Sequence, residues 1–174
     1  MEVSSALPGA APPLFARDWH IADQACSGAR GKTFCHPGAS VNDIKSCALH
    51  LSDQFRTVST LVLEAGVNDI KHQQSEVLKD YFIRFIEASF QCPAADNFRS
   101  TTLSCFGDLK FSRLRQLHTW LKGYCMHNSI PFVDNFAAFL DRPRFFKRDG
   151  LHPYLEGSRL LAANIELILH SCTA

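Results

Sequence analysis

The segment TVSTLVLEA, residues 57–65, constrains this chain more than any other. It is an apolar, β-branched run without the alternation of a half-exposed strand, so it needs cover on both faces, as a buried parallel strand has. The neighbouring segments supply that cover. SEVLKDYFIRFIEASF places Leu78, Phe82, Phe85, Ile86 and Phe90 on one helical stripe, and FSRLRQLHTWLKGYC does the same with Phe111, Leu114, Leu117, Leu121 and Tyr124. GKTFC (31–35) is β-inclined, TTLSCF (101–106) reads as a weak strand and IPFVDNF (130–136) as a better one. In the last segment Pro153 suits a first helical turn, with Leu161, Ile165, Ile168 and Leu169 as the buried stripe. Strands alternating with helices predict an α/β fold, a parallel sheet between two helical layers.

Size and charge narrow the partners. A chain of 174 residues, 46% hydrophobic and 20% charged, can bury one core and is expected to form a single domain. Residues 1–13 hold three prolines among small residues and read as a disordered leader, leaving the domain to 14–174. A net charge of +1 provides no global field for nucleic acid or an anionic membrane. The seven cysteines are odd in number and never spaced C-x-x-C, and MEVSSALPGAAPPLF lacks the basic start and apolar stretch of a signal peptide. Free thiols in a reducing, cytoplasmic setting are expected. No apolar run approaches the roughly 20 residues of a membrane span.

Ligands of open α/β sheets bind outside the carboxyl ends of the strands. The run 57–65 leads into GVNDIK, where Gly66 can bend the backbone and Asn68 can aim an amide at an oxyanion. The alternative is that Asn68 and Asp69 build a turn or cap the next helix. VNDIK occurs twice, at 41–45 and 67–71, without matching flanks and far below the length of a structural repeat. In the first copy Asn42 or Asp43 is expected to cap a helix. Just before it, Gly38 has no side chain to keep a substrate from its backbone N–H, although most Pro-Gly pairs are turns. Near the end of the chain, DGLHP sets Asp149 three residues before His152. Placed at or beside the N-terminus of the last helix, His152 is held neutral, as a general base must be, and Asp149 can orient its ring. The plain alternative is a turn aspartate and a surface histidine.

HPGAS with Gly38, GVND with Gly66 and Asn68, and DGLHP with Asp149 and His152 resemble, in order, the second, third and last sequence blocks of the SGNH (GDSL-type) hydrolases. The similarity spans roughly residues 30–170. FSRLRQLHTWL, VDNF and RPRFFKRDGLHP are closer still to the esterase-like domain of the first open-reading-frame protein of vertebrate LINE retrotransposons. The resemblance implies a flavodoxin-like three-layer α/β/α sandwich. It implies hydrolysis of a small ester or acyl substrate by a serine nucleophile, with Gly38 and Asn68 as oxyanion donors, His152 as base and Asp149 as its partner. Self-association or RNA contact enters only through that family context.

The first family block is where the chain departs. Members carry GDS after the first strand, whereas the comparable stretch here reads FARDWHI, so Asp18 matches, Arg17 replaces the glycine and Trp19 the serine. An indole cannot attack an ester. The sheet is therefore expected to begin with a degenerate first strand. FGDL at 106–109 follows the third block and is a decoy, and Ser27 and Ser40 are the nearest other hydroxyls, each reading better as a loop or cap residue. Two expectations follow: an esterase with a substituted nucleophile, or an inactive relative whose pocket or surface binds a ligand, protein or RNA.

RPRFFKRDG interleaves Arg142, Arg144, Lys147 and Arg148 with Phe145 and Phe146, which suits either a grip on a phosphate backbone or a solvated loop anchored by phenylalanines. Cys125 with His127, or Cys47 with His50, lacks the second pair a metal site needs, so neither metal nor cofactor is expected. Trp120 is expected in the core.

Overall fold

The computed structural model of the protein describes residues 18–22, 32–54, 60–71, 74–90, 97–101 and 108–170. Five parallel strands form one sheet: β1 Asp18–Ala22, β2 Lys32–Cys35, β3 Thr60–Glu64, β4 Asn97–Thr101 and β5 Phe132–Val133. Their order is β2-β1-β3-β4-β5, a doubly wound order in which the strand sequence reverses between β1 and β3. The helices are α1 Val41–Gln54, α2 Ser75–Phe90, α3 Asp108–His127, α4 Asn135–Phe139 and α5 Leu155–His170. Residues 1–13, expected to be a leader, lie outside the described residues.

Strand β3 is buried along its whole length, as its uninterrupted apolar run requires. It shares one core with Leu78, Phe82, Phe85 and Ile86 of α2, Leu114, Leu117 and Leu121 of α3, and Leu161 and Ile165 of α5. Phe90, the last residue of α2, departs from the expected stripe at 61% exposed. Trp120 is half-buried rather than core, and it borders a cleft of about 280 Å³ between α2 and α3 with Lys79 6.0 Å from its ring centre.

The strands themselves correct several expectations. The first strand is not degenerate: β1 pairs along all five residues with β3 and along four with β2, setting Trp19 opposite Leu61 and Lys32. Its sequence DWHIA has little β-pattern of its own, and two flanking ladders supply what propensity lacks. Strand β4 is Asn97–Thr101, meeting the expected 101–106 only at Thr101; NFRST has no apolar signature, and register with β3 selects it. The remaining residues of that expected strand, 102–106, lie outside the described residues. β5 shrinks to two residues because the Asp134 carboxylate accepts from the Ala137 N–H at 3.0 Å, which caps α4 and turns the chain away. Helix α5 begins at Leu155, so Pro153 precedes it and forms an antiparallel bridge with Phe146 instead of opening its first turn.

Candidate active site

The turn after β2 carries His36, Pro37 and Gly38, and the turn after β3 carries Gly66 and Asn68; both leave the carboxyl edge of the parallel sheet. Gly38 has φ +83° and open space where a Cβ would stand, so it is backbone conformation that favours glycine there. Gly66 has φ +104°, and a Cβ would also meet Leu117 at 3.0 Å and the Phe82 ring at 3.1 Å. Turn and close packing both require it.

The two turns are tied to each other. The Asn68 side-chain amide donates to the Ala39 carbonyl at 3.1 Å, one residue after Gly38. The Asp69 carboxylate, 4% exposed, accepts from the Val41 N–H at 3.0 Å at the start of α1. The expectation that Asn42 or Asp43 caps α1 is half right. Ser40 is the cap: the Asp43 N–H donates to the Ser40 hydroxyl at 3.3 Å, while Asp43 accepts from the Ser40 N–H at 2.9 Å and hydroxyl at 2.7 Å. This capping box was legible as S-x-x-D in SVND. It commits the Ser40 hydroxyl to a cap, the reading already preferred for it, and holds Asp43 below the usual carboxylate range. The role of Asp69 had no local signal, because its partner lies 28 residues away.

Asp149 and His152 are brought together directly. One carboxylate oxygen accepts from the Leu151 and His152 backbone N–H groups, each at 2.9 Å, and the other lies 2.8 Å from His152 Nδ1. The two backbone bonds are the main reason the Asp149 pKa falls to about 2. An ionised carboxylate can only accept, so Nδ1 carries the hydrogen between them and Nε2 is the ring nitrogen that Asp149 does not engage. The ring is 41% exposed. The loop is clamped from both sides: Lys147 N–H donates to the His152 carbonyl at 2.7 Å, Gly150 at φ +66° donates to Lys147 at 2.9 Å, and Tyr154 N–H donates to the Phe145 carbonyl at 2.7 Å. His152 lies three residues before α5, beyond the turn in which a helix dipole acts strongly. The carboxylate, rather than the dipole, orients this ring.

The expected nucleophile position falls inside the sheet. Asp18 and Trp19 open β1 and lie in its ladders, at the opposite end from the carboxyl edge, and the strand ends at Ala22. Ser27 and the rest of 23–31 lie outside the described residues. In RPRFFKRDG, Phe145 is 9% and Phe146 4% exposed, while Arg142, Arg144, Lys147 and Arg148 are exposed. The phenylalanines anchor the loop and cannot stack bases. Among the described residues no group of three His, Cys, Asp or Glu side chains could hold a metal ion, and no helix is long and apolar enough to cross a membrane.

A second histidine–aspartate pair joins α3 to the residue that follows β5. His118, 7% exposed, stacks on Phe136 with ring centres 4.7 Å apart and lies 3.4 Å from Asp134, which also accepts from Lys122 at 2.6 Å. Burial pushes the His118 pKa down against the pull of Asp134. This pair secures the cap of α4 to α3, a structural function.

No family model and no curated protein matches the chain by sequence. Solved structures do. The esterase domain of the ORF1 protein from the zebrafish ZfL2-1 retrotransposon is 33% identical over 88% of this chain and 99% of that one, with a TM-score of 0.54. A GDSL-like lipase from Bacteroides thetaiotaomicron (16% identity, TM-score 0.73, 93% and 92% of the two chains) shares the fold. So does an acetylxylan esterase from Geobacillus stearothermophilus (15%, 0.70, 87% and 94%). With its sheet order, its glycine turns and its Asp-x-x-His loop, the chain belongs to the SGNH (GDSL-type) hydrolase family, alongside the esterase domain of a retrotransposon ORF1 protein.

Proposed function

We propose that this domain acts on small carboxylic esters at the carboxyl edge of its sheet. The carrying observation is the Asp149–His152 geometry, an ionised carboxylate 2.8 Å from Nδ1 with a half-exposed ring behind it. In this reading His152 Nε2 takes the proton of an attacking serine hydroxyl and gives it to the leaving alkoxide as the acyl-enzyme forms. It then repeats the transfer with the water that releases the acid and restores the serine, and Asp149 stabilises the imidazolium in each step. The Gly38 N–H and the Asn68 amide receive the negative charge that forms on the carbonyl oxygen. Two arguments support a shared hollow. Gly38 and Asn68 follow strand ends of one parallel sheet and are linked through Ala39. The Asp149–His152 loop precedes α5, which packs on β5, and a helix returning along a parallel strand starts at that strand's carboxyl end. The same reading takes the helices as two layers, α1, α2 and α3 on one face by the right-handed crossover rule and α5 on the other.

A second reading, a ligand-binding relative without turnover, rests on one observation. The strand ends at Ala22, and the chain then continues Asp23, Gln24, so an aspartate of the family block is followed by glutamine where the serine would stand. Loss of the nucleophile lowers turnover on the order of a millionfold, leaving roughly 10³–10⁴ over water. Purified protein incubated with a short-chain aryl ester and a serine-directed fluorophosphonate separates the two. Turnover with labelling supports the esterase; absence of both, with retained ester binding, supports the second reading.

A further inference from the structure

We propose that Gly157 is a positioning residue for His152, an inference that rests on the reading of Asp149–His152 as an acid–base pair. Gly157 lies in the first turn of α5. A Cβ built there would stand 2.4 Å from the Phe145 carbonyl oxygen, 3.0 Å from the Pro153 side chain and 3.2 Å from the Phe145 Cβ. The first of these is a backbone atom, which no rotamer change can move aside. Glycine in the turn lets the 3-10 segment Pro143–Phe145 close onto α5.

That closure defines the dyad loop. The Phe145 carbonyl accepts from Tyr154 N–H, Phe146 bridges Pro153, and Lys147 N–H holds the His152 carbonyl. Residues 145–147 and 152–154 are thus two sides of one clamp, with Asp149 and His152 facing each other across its end. A carbon–oxygen contact normally relaxes to about 3.3 Å. A methyl group at Gly157 would therefore displace the Phe145 carbonyl by roughly 0.9 Å, beyond the ~0.5 Å within which a catalytic group must be held. A misplacement of about 1 Å lowers turnover on the order of a hundredfold. Helix propensity argues the other way, since alanine favours an α-helix over glycine. Glycine at this place is explained by the clamp.

The test compares Gly157→Ala with Gly123→Ala, a helical glycine whose added Cβ meets nothing within 4 Å. Two quantities are read on the full chain: the NMR signal of the hydrogen shared by His152 Nδ1 and Asp149, and the hydrogen exchange of the Lys147 and Tyr154 amides. We expect Gly123→Ala to match wild type in both. Gly157→Ala should lose or shift the imidazole signal and exchange the two clamp amides at least about tenfold faster, while α3 amides keep their protection. An unchanged imidazole signal in Gly157→Ala overturns the inference and leaves the dyad standing. Absence of that signal in wild type overturns the dyad reading itself. Loss of protection throughout α3 assigns Gly157 to global packing and also rejects a positioning role.

Discussion

The Asp69 carboxylate, in the second copy of VNDIK, accepts the backbone N–H of Val41, the first residue of the first copy, at 3.0 Å in a buried setting. The repeated pentapeptide is thus no architectural repeat, yet its two copies touch. The bond fastens the turn after β3 to the start of α1 and, with Asn68 on Ala39, sets the spacing of the two candidate oxyanion donors.

Removing that tie should be felt in stability. Asp69→Ala leaves a buried N–H without this acceptor, so we expect a loss of about 1–3 kcal/mol. For a domain of this size each kcal/mol lowers Tm by roughly 2–4 °C. A thermal melt showing no change would mean that water or another group replaces the carboxylate at once.

Asp149 makes a prediction about acid. Its folded pKa of about 2 lies below the ordinary 3.8, so its contribution to stability is fully present above pH 3.8 and disappears as pH falls through 2. Half-exposed as it is, the contribution is small. The sharper effect is on tautomer: Asp149→Asn can present an N–H to Nδ1, moving the ring hydrogen to Nε2 and removing the base. If the wild type turns over esters, this variant should fall on the order of 10⁴ in kcat with little change in KM. Equal kcat in the two proteins would remove Asp149 from the mechanism.

His118 gives the chain a pH dependence near neutrality. Burial lowers its folded pKa below 6.5, so the unfolded chain takes up the proton first and stability declines as pH drops through 6.5. Urea unfolding at pH 7.5 and 5.5 should show a less stable wild type at the lower pH. In His118→Gln that difference should shrink. An equal difference in the variant would place the titration elsewhere.

The register of β1 separates two engineering attempts. Arg17→Gly with Trp19→Ser should yield no esterase activity, because Trp19 lies within the strand between Leu61 and Lys32. Gln24→Ser, two residues past the strand's end, should raise fluorophosphonate labelling and aryl ester hydrolysis above the unmodified protein. Activity from the first pair alone would show that the nucleophile turn lies earlier than the strand register implies.

Much of this fold was legible where residues act through local pattern. The apolar run of β3 and the stripes of α2 and α3 announce themselves, since burial on one or two faces imposes a period on the chain itself. The Asp149–His152 pair was legible too, because three residues of spacing let the carboxylate meet both the ring and two backbone N–H groups in a single loop. What misled was the first strand. DWHIA carries no strand signature, so nothing local announces that Trp19 lies inside a parallel ladder.

By itself, then, the sequence determined the alternation of strand and helix, the glycines at 38 and 66 and the Asp149–His152 loop, all consequences of interactions among near neighbours. Only the tertiary structure decided the extent of β1 and β4, the union of the two VNDIK copies and the clamp that needs Gly157. Each of these depends on a ladder or a contact between segments well separated along the chain. The energy of such a contact appears in no local pattern until the fold has closed the loop between them.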